Sequence, residues 1–336
     1  MTPFPWHRAA LERLLVDRTR LPHALLVQGR SGIGKGEFAR ALANAVLCES
    51  PKGAFACGTC SSCHWFSQGN HPDYREVIPE AAEEDVEGEA EPAKADQKKS
   101  VVIKIDQIRA QADFISLSTH RAGLRVLVIR PAEAMHPGAA NALLKTLEEP
   151  PPSTLIVLVS DQPARLLPTI RSRCRALVLP MPSEAEALAW LQAEGVEDAR
   201  TALAVAGGAP LLARDLASPE ETQLRRKVLA ELSRPSGAEP LTFAERIDRP
   251  ALDRTVYWMQ TWVHDLMRVR AGAAVRHHVD LAPAAQAKAR AADPERLYDL
   301  ERELRAARRL ASHPLNARLV AEHLLMTYNR ATSGTR

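Results

Sequence analysis

The 336-residue chain has no apolar run approaching the roughly 20 residues that cross a bilayer, which sets aside a membrane-spanning role. Its first residues, Met1-Thr2-Pro3-Phe4-Pro5-Trp6-His7, lack the charged-then-apolar layout of an export signal, so cytoplasmic residence is expected. The net charge is only +3, too small by itself to argue for a nucleic-acid partner. That sum hides an uneven distribution, with an acidic block from Glu76 to Glu91 and Arg-rich helical patterns near the C-terminal end. No internal repeat is visible. Cysteine is scarce, yet four of the five cluster as Cys48, Cys57, Cys60 and Cys63. In a long chain expected in the cytosol, that spacing reads as metal before disulfide. The length allows two or three domains of ordinary globular composition.

The strongest motif is also incomplete. Gly29-Arg30-Ser31-Gly32-Ile33-Gly34-Lys35-Gly36 follows an apolar run, Ala24–Val27, and leads into a helical pattern from Glu37 to Leu42. Strand, glycine-rich turn and helix form the setting of a phosphate loop, in which backbone N–H groups and the helix N-terminus cradle phosphate oxygens. Gly29, Gly32, Gly34 and Lys35 are the candidate phosphate ligands. The position after the lysine needs a Ser or Thr hydroxyl to hold Mg²⁺, and here it is Gly36. A working nucleotidase also needs an acidic group at the end of a second strand. The candidate strand Val126–Ile129 ends instead in Arg130-Pro131. An arginine repels Mg²⁺ and a proline offers no base. Glu133, three residues on from Arg130, is either a substitute metal ligand or a solvated residue near the next helix. Two losses in one site predict that the loop binds nucleotide weakly or not at all.

The cysteines follow the pattern Cys48-x8-Cys57-x2-Cys60-x2-Cys63. Four thiolates suit tetrahedral Zn²⁺ and leave no position open for water, so the expected role is structural. His64 is a rival ligand or an exposed histidine, and Cys174 reads as a small buried apolar residue.

Strand candidates at Leu25–Gln28, Val126–Ile129, Leu155–Val159 and Ala176–Leu179 are mostly separated by helical patterns, which predicts a parallel sheet covered by helices. Residues 77–100 are rich in Glu, Ala and Lys without an aromatic, and read as a disordered surface insertion or an acidic docking tail. Strand signals stop after Leu179-Pro180. Ser183 with Glu186, and Ser218-Pro219-Glu220-Glu221, mark helix starts. Trp258, Trp262, Leu266 and Val269 line one helix face, which serves either the domain's own core or a contact with another subunit. Leu297, Leu300, Leu304 and Leu310 mark another helix, Pro314 interrupts, and a last helix spans 317–328.

Beyond these local signals, several stretches carry a resemblance. They are Leu21-Pro22-His23-Ala24-Leu25-Leu26 before the loop, the cysteine knuckle after the first helix, His71-Pro72-Asp73 and Ile105-Asp106-Gln107-Ile108-Arg109. To these add Asn141-Ala142-Leu143-Leu144-Lys145-Thr146-Leu147-Glu148-Glu149-Pro150 and Ser172-Arg173-Cys174. Over residues 5–180 the chain resembles the AAA+ clamp-loader family of bacterial DNA polymerase III, and within it the delta prime subunits. Gly207-Gly208-Ala209-Pro210 and Pro314-Leu315-Asn316 are weaker echoes.

The resemblance implies an AAA+ nucleotide-fold domain over 1–180 with a zinc knuckle at 48–63, a helical lid over 181–217 and a helical C-terminal collar domain over 218–336. It also implies that Arg173 reaches across an interface to a neighbour's ATP as an arginine finger. Read without the resemblance, Arg173 is one solvated cation among Arg171–Arg175. The implied partners are gamma or tau and delta subunits, with the sliding clamp and primed DNA reached through the complex and no membrane. The active gamma-type ATPase keeps a hydroxyl after its loop lysine, an acidic pair after its strand, and an arginine soon after the lid glycine. Pro210 stands at that last place here and Arg214 is out of register. A chain with an active site of its own, or one that binds DNA through Arg302–Arg309, is the competing reading.

Overall fold

The computed structural model describes residues 2–82, 100–116, 123–310 and 316–333. Most of the predicted insertion, 83–99, lies outside the described residues, as do Pro314 and Leu315. The chain forms two compact units, Met1–Ser183 and Glu184–Arg336.

The first unit is built on five parallel strands: β1 (Ala24–Gln28), β2 (Tyr74–Val77), β3 (Arg125–Ile129), β4 (Thr154–Ser160) and β5 (Arg175–Val178). Their order across the sheet is β2-β3-β4-β1-β5. The three central strands are apolar except at their end residues Gln28, Arg125, Thr154 and Ser160, and they are almost wholly buried, as expected of a parallel sheet with helices on both faces. Register pairs Ala24 with Ile156 and Arg125 with Thr154 in the middle, and Leu25 with Arg175 at one edge. This is the helix-covered parallel sheet that the alternation of strand and helix signals predicted.

Sequence reading missed β2, because Tyr74-Arg75-Glu76-Val77 has no apolar run. It is an edge strand with one neighbour, β3, and so carries polar side chains. The disordered segment expected at 77–100 is therefore too wide at both ends. Val77 is a strand residue, a 3₁₀ turn covers Glu80–Ala82, and the Ser100 carbonyl accepts from the Ala81 N–H at 3.1 Å.

The second unit is helical, with no strand among its described residues. Its helix starts are written locally: Ser218 accepts from the Glu221 N–H at 3.3 Å, Asp248 from Ala251 at 3.0 Å, and Asn316 from Leu319 at 3.3 Å. The long helix Arg249–Arg270 repeats an apolar residue every fourth position at Trp258, Trp262 and Leu266, and all three are fully buried. Trp262 Nε1 donates to the Tyr328 hydroxyl at 3.0 Å, which donates to the Leu232 carbonyl at 2.6 Å, so the polar tips of two core aromatics are satisfied. These residues make the unit's own core, which decides between the two readings offered for that face. Leu297, Leu300 and Leu304 complete it from the helix Pro294–Leu310, and the last helix runs past its expected end to Thr332. One continuous core reaches from Ala187 to Ala331.

Candidate functional site

In a parallel sheet every strand ends at the same edge, and the segments that follow the strands meet there. The phosphate loop leaves β1, Asp161 follows β4, Arg130 follows β3, and Glu76 sits near the end of β2. Because β4 lies between β1 and β3, these groups are neighbours.

The loop has the backbone of a phosphate cradle. Gly32 and Gly34 take φ of 77° and 89°, and Gly34 caps the helix Lys35–Leu47 in the left-handed conformation. A side chain on Gly29 would lie 2.9 Å from Ile33 Cδ1 and 3.0 Å from the Leu179 carbonyl, so anything larger than glycine would force those neighbours to shift.

The cradle is internally satisfied. Lys35 is buried, and its Nζ donates to the Arg30 carbonyl and pairs with the Asp161 carboxylate. An internal anion thus neutralises the lysine that would meet a terminal phosphate. The N-terminal segment packs on the same loop: the Phe4 ring lies against Gly34, and Trp6 Nε1 donates to the Ile33 carbonyl at 2.9 Å. His7 is wholly buried edge-on to Phe38, and burial pushes it down to about 4, with the Lys35 charge acting in the same direction.

A cation faces the residue that follows the loop lysine. A Cβ on Gly36 would meet the Arg130 side chain at 3.3–3.8 Å, along Cδ, Nε and Cζ. The Arg130 side chain therefore fills the space that a side chain on Gly36 would enter. Arg130 pairs with Glu76, which also accepts from Arg40 Nε at 2.9 Å and from the Tyr74 hydroxyl at 3.1 Å. Burial alone would raise the Glu76 carboxyl, but Arg130 and Arg40 together hold it below its ordinary value. Glu133 is half-buried rather than solvated. Its Oε1 accepts from the backbone N–H groups of Asp161 and Gln162 at 3.0 and 3.1 Å, tying down the turn after β4.

Arg173 stands elsewhere. It ends the helix Pro168–Arg173, two residues before β5 begins, and Arg175 is level with Leu25 near the start of β1. The loop begins four residues beyond Leu25, about 13 Å further along the strand direction. Arg173 thus lies toward the opposite edge of the sheet from Lys35. Its partners are Glu148 Oε1, at 2.6 Å from Nη2, and the Thr169 carbonyl, at 2.9 Å from Nη1. It remains one-third exposed.

The four cysteine sulfurs lie within 4.8 Å of one another. Cys48 follows the helix Lys35–Leu47, Cys60 caps the helix Ser61–Ser67, and Cys63 lies inside that helix. The Cys48–Cys60 and Cys57–Cys63 sulfurs are 3.8 and 3.9 Å apart. Metal–sulfur bonds of about 2.3 Å in a tetrahedron give edges of about 3.8 Å, so the four cysteines are placed to hold a metal ion. Backbone N–H groups at Cys57, Cys60 and Cys63 point at sulfurs of the set, at 3.2–3.4 Å, and would share the charge of thiolates. His64 is exposed and outside the cluster. Ser62 links the knuckle to the helix Lys35–Leu47 and to the turn before β2, donating to the Leu47 carbonyl at 2.6 Å and pairing with His71 Nε2 at 2.9 Å. Cys174 is half-buried rather than buried, and desolvation pushes its thiol up to about 11.

Sequence reading named the loop, the cysteines and Arg173 as candidates, and the structure brings the four cysteines together. It missed Asp161, whose only signal was its place directly after an apolar run, and Glu76, which was absorbed into the acidic block. In the second unit Arg214 pairs with Glu194 and Asp215 and covers the Trp190 ring. Arg302 and Arg305 pair with acids on their own helix, and Arg308 covers Tyr257.

Comparison with known proteins agrees with the geometry. The family model described as DNA polymerase III, delta subunit, matches residues 9–183, and the model described as DNA polymerase III, delta subunit, C terminal, matches 219–329. The DNA polymerase III subunit delta prime of Pseudomonas aeruginosa is 36% identical over 273 residues, covering 79% of this chain and 77% of that one. Its Escherichia coli counterpart is 32% identical over 285 residues, covering 83% and 80%. DNA polymerase III subunit tau of Salmonella typhimurium is 32% identical over 155 residues, covering 46% of this chain and 21% of that one. The chain belongs to the DNA polymerase III delta prime subunit family.

Proposed function

We propose that this chain is a non-catalytic clamp-loader subunit, silent at its own phosphate loop and active through Arg173 on ATP bound by a neighbouring gamma or tau subunit. The observation that carries the reading is the Arg130 guanidinium lying against Gly36. A metal site occupied by a fixed cation cannot also hold Mg²⁺, and phosphoryl transfer depends on that metal for charge neutralisation. The Lys35–Asp161 pair supports the same reading, because a phosphate would have to displace a carboxylate already in contact. The position of Arg173 at the far edge of the sheet fits action on another subunit's nucleotide rather than on its own.

In this reading gamma or tau and delta subunits are the direct partners, and the complex loads the sliding clamp onto primed DNA. Helices from Glu184 to Leu216 act as the lid and those from Pro219 onward as the collar. Cys48, Cys57, Cys60 and Cys63 hold a structural Zn²⁺ that pins the knuckle to the helix Lys35–Leu47. With no open position, the metal takes no part in chemistry.

Two measurements test the reading. The purified chain with Mg²⁺ and ATP is expected to show neither turnover nor binding, and turnover abolished by Lys35→Ala would refute it. Mixed with candidate clamp-loader subunits, the chain is expected to enter a defined hetero-oligomer by native mass spectrometry; its exclusion from every assembly would refute the partner assignment.

A further inference from the structure

Arg173 is not a free side chain waiting for a partner. Its Nη1 donates to the Thr169 carbonyl at 2.9 Å, within its own helix, and its Nη2 lies 2.6 Å from Glu148 Oε1. Glu148 is the last residue of the helix Pro137–Glu148. A carboxylate at a helix C-terminus faces the negative end of the helix dipole and is disfavoured there unless a cation compensates it. Arg173 is that cation.

Both ends of the pair are anchored. Leu147 and Ile170, beside the two residues in their helices, are buried in one apolar cluster. Pro150, Pro151 and Pro152 stiffen the chain immediately beyond Glu148. Two helix ends fixed by a common core therefore hold a carboxylate against a guanidinium, which keeps part of its surface open to solvent. An exposed ion pair of this kind contributes little to folding stability. What it does is restrict an arginine side chain that would otherwise sample many rotamers, and such ordering is a cost usually met on binding.

We propose that Glu148 is a positioning residue for Arg173, holding the guanidinium ready for the ATP phosphates of the adjoining subunit. The inference rests on the assignment of Arg173 as an arginine finger. It touches no substrate itself and acts only through the arginine. Removing the carboxylate leaves the guanidinium present but mobile, so the neighbour's turnover falls less than on removing the arginine. Ordering one long side chain sets the scale at about three- to tenfold. The loss belongs in kcat rather than in KM for ATP, because an arginine finger acts chiefly on transition-state charge.

The test is a double-mutant cycle in the reconstituted clamp loader, with native mass spectrometry confirming that each variant assembles. Glu148→Ala is expected to lower DNA-stimulated kcat about three- to tenfold at unchanged KM, and to have no further effect in an Arg173→Ala background. Glu148→Gln keeps an acceptor without charge; it is expected to fall between wild type and Glu148→Ala, and it serves in place of the alanine variant should that one fail to assemble. If Arg173→Ala leaves turnover unchanged, the finger assignment itself is overturned. If Arg173→Ala lowers turnover while Glu148→Ala leaves it unchanged or raises it, the finger stands and the positioning role is overturned. An equal loss from Glu148→Ala with and without Arg173 also overturns it, because the carboxylate would then act by another route.

Discussion

Replacing Asp161 by Asn keeps the shape of the side chain and removes the charge that neutralises Lys35. Lys35 is 5% exposed, so its ammonium would be left largely desolvated with neutral acceptors, the Arg30 carbonyl and the new amide oxygen, and no anion. Breaking a fully buried ion pair costs about 3–5 kcal/mol. Asp161 is 36% exposed at its side chain, so water compensates part of the loss, and about 2 kcal/mol is the reasonable size. For a unit of this length that lowers the midpoint of thermal unfolding by about 4–8 °C. The variant also uncovers an anion site. Pyrophosphate or ATP at ten times its dissociation constant would return about 1.4 kcal/mol to the variant, and nothing to the wild type, whose lysine is already satisfied. Thermal melts of both proteins across a pyrophosphate titration measure this directly. Equal stabilisation of the two, or a variant as stable as wild type without ligand, would refute the idea that an internal carboxylate fills the phosphate position.

Protein purified without chelator should contain one zinc per chain, and Cys57→Ser should lose it along with the fixed geometry of the knuckle; metal analysis showing none in the wild type would contradict the site. Tyr328→Phe leaves the buried Trp262 Nε1 and the Leu232 carbonyl each without a partner, and should cost about 1–3 kcal/mol in urea unfolding. His7 is held down to about 4 against an ordinary 6.5, so the unfolded chain takes up its proton first as pH falls. Its contribution is fully present above pH 6.5 and is lost between 6.5 and 4, amounting to about 3 kcal/mol, and unfolding of His7→Leu should show a correspondingly flatter acid limb.

What the sequence made legible was whatever is written locally. The apolar runs of β1, β3 and β4, the Ser218 cap, the loop glycines and the cysteine spacing each declare themselves within a short stretch of chain, the longest from Cys48 to Cys63. The core of the second unit was legible as a four-residue repeat through Trp258, Trp262 and Leu266. Contacts across the sheet edge were not. Nothing near Arg130 in the chain foretells that its guanidinium will lie against Gly36, or that Glu76 will pair with it; that follows only once β2, β3, β4 and β1 stand side by side. Glu133 misled for the same reason, since its partners, the N–H groups of Asp161 and Gln162, are 28 and 29 residues away. β2 was missed because an edge strand needs only one buried face and can carry arginine and glutamate.

The central claim is that the chemistry this chain serves lies at Arg173 and not at Lys35. The most direct test is DNA-stimulated ATP turnover of a clamp loader assembled with Arg173→Ala in this subunit alone. An arginine that completes a transition state contributes about 10³–10⁵ at its site. The account predicts that single-turnover hydrolysis at the adjoining site collapses on that scale while the complex still assembles. Hydrolysis at every site unchanged from wild type would contradict it.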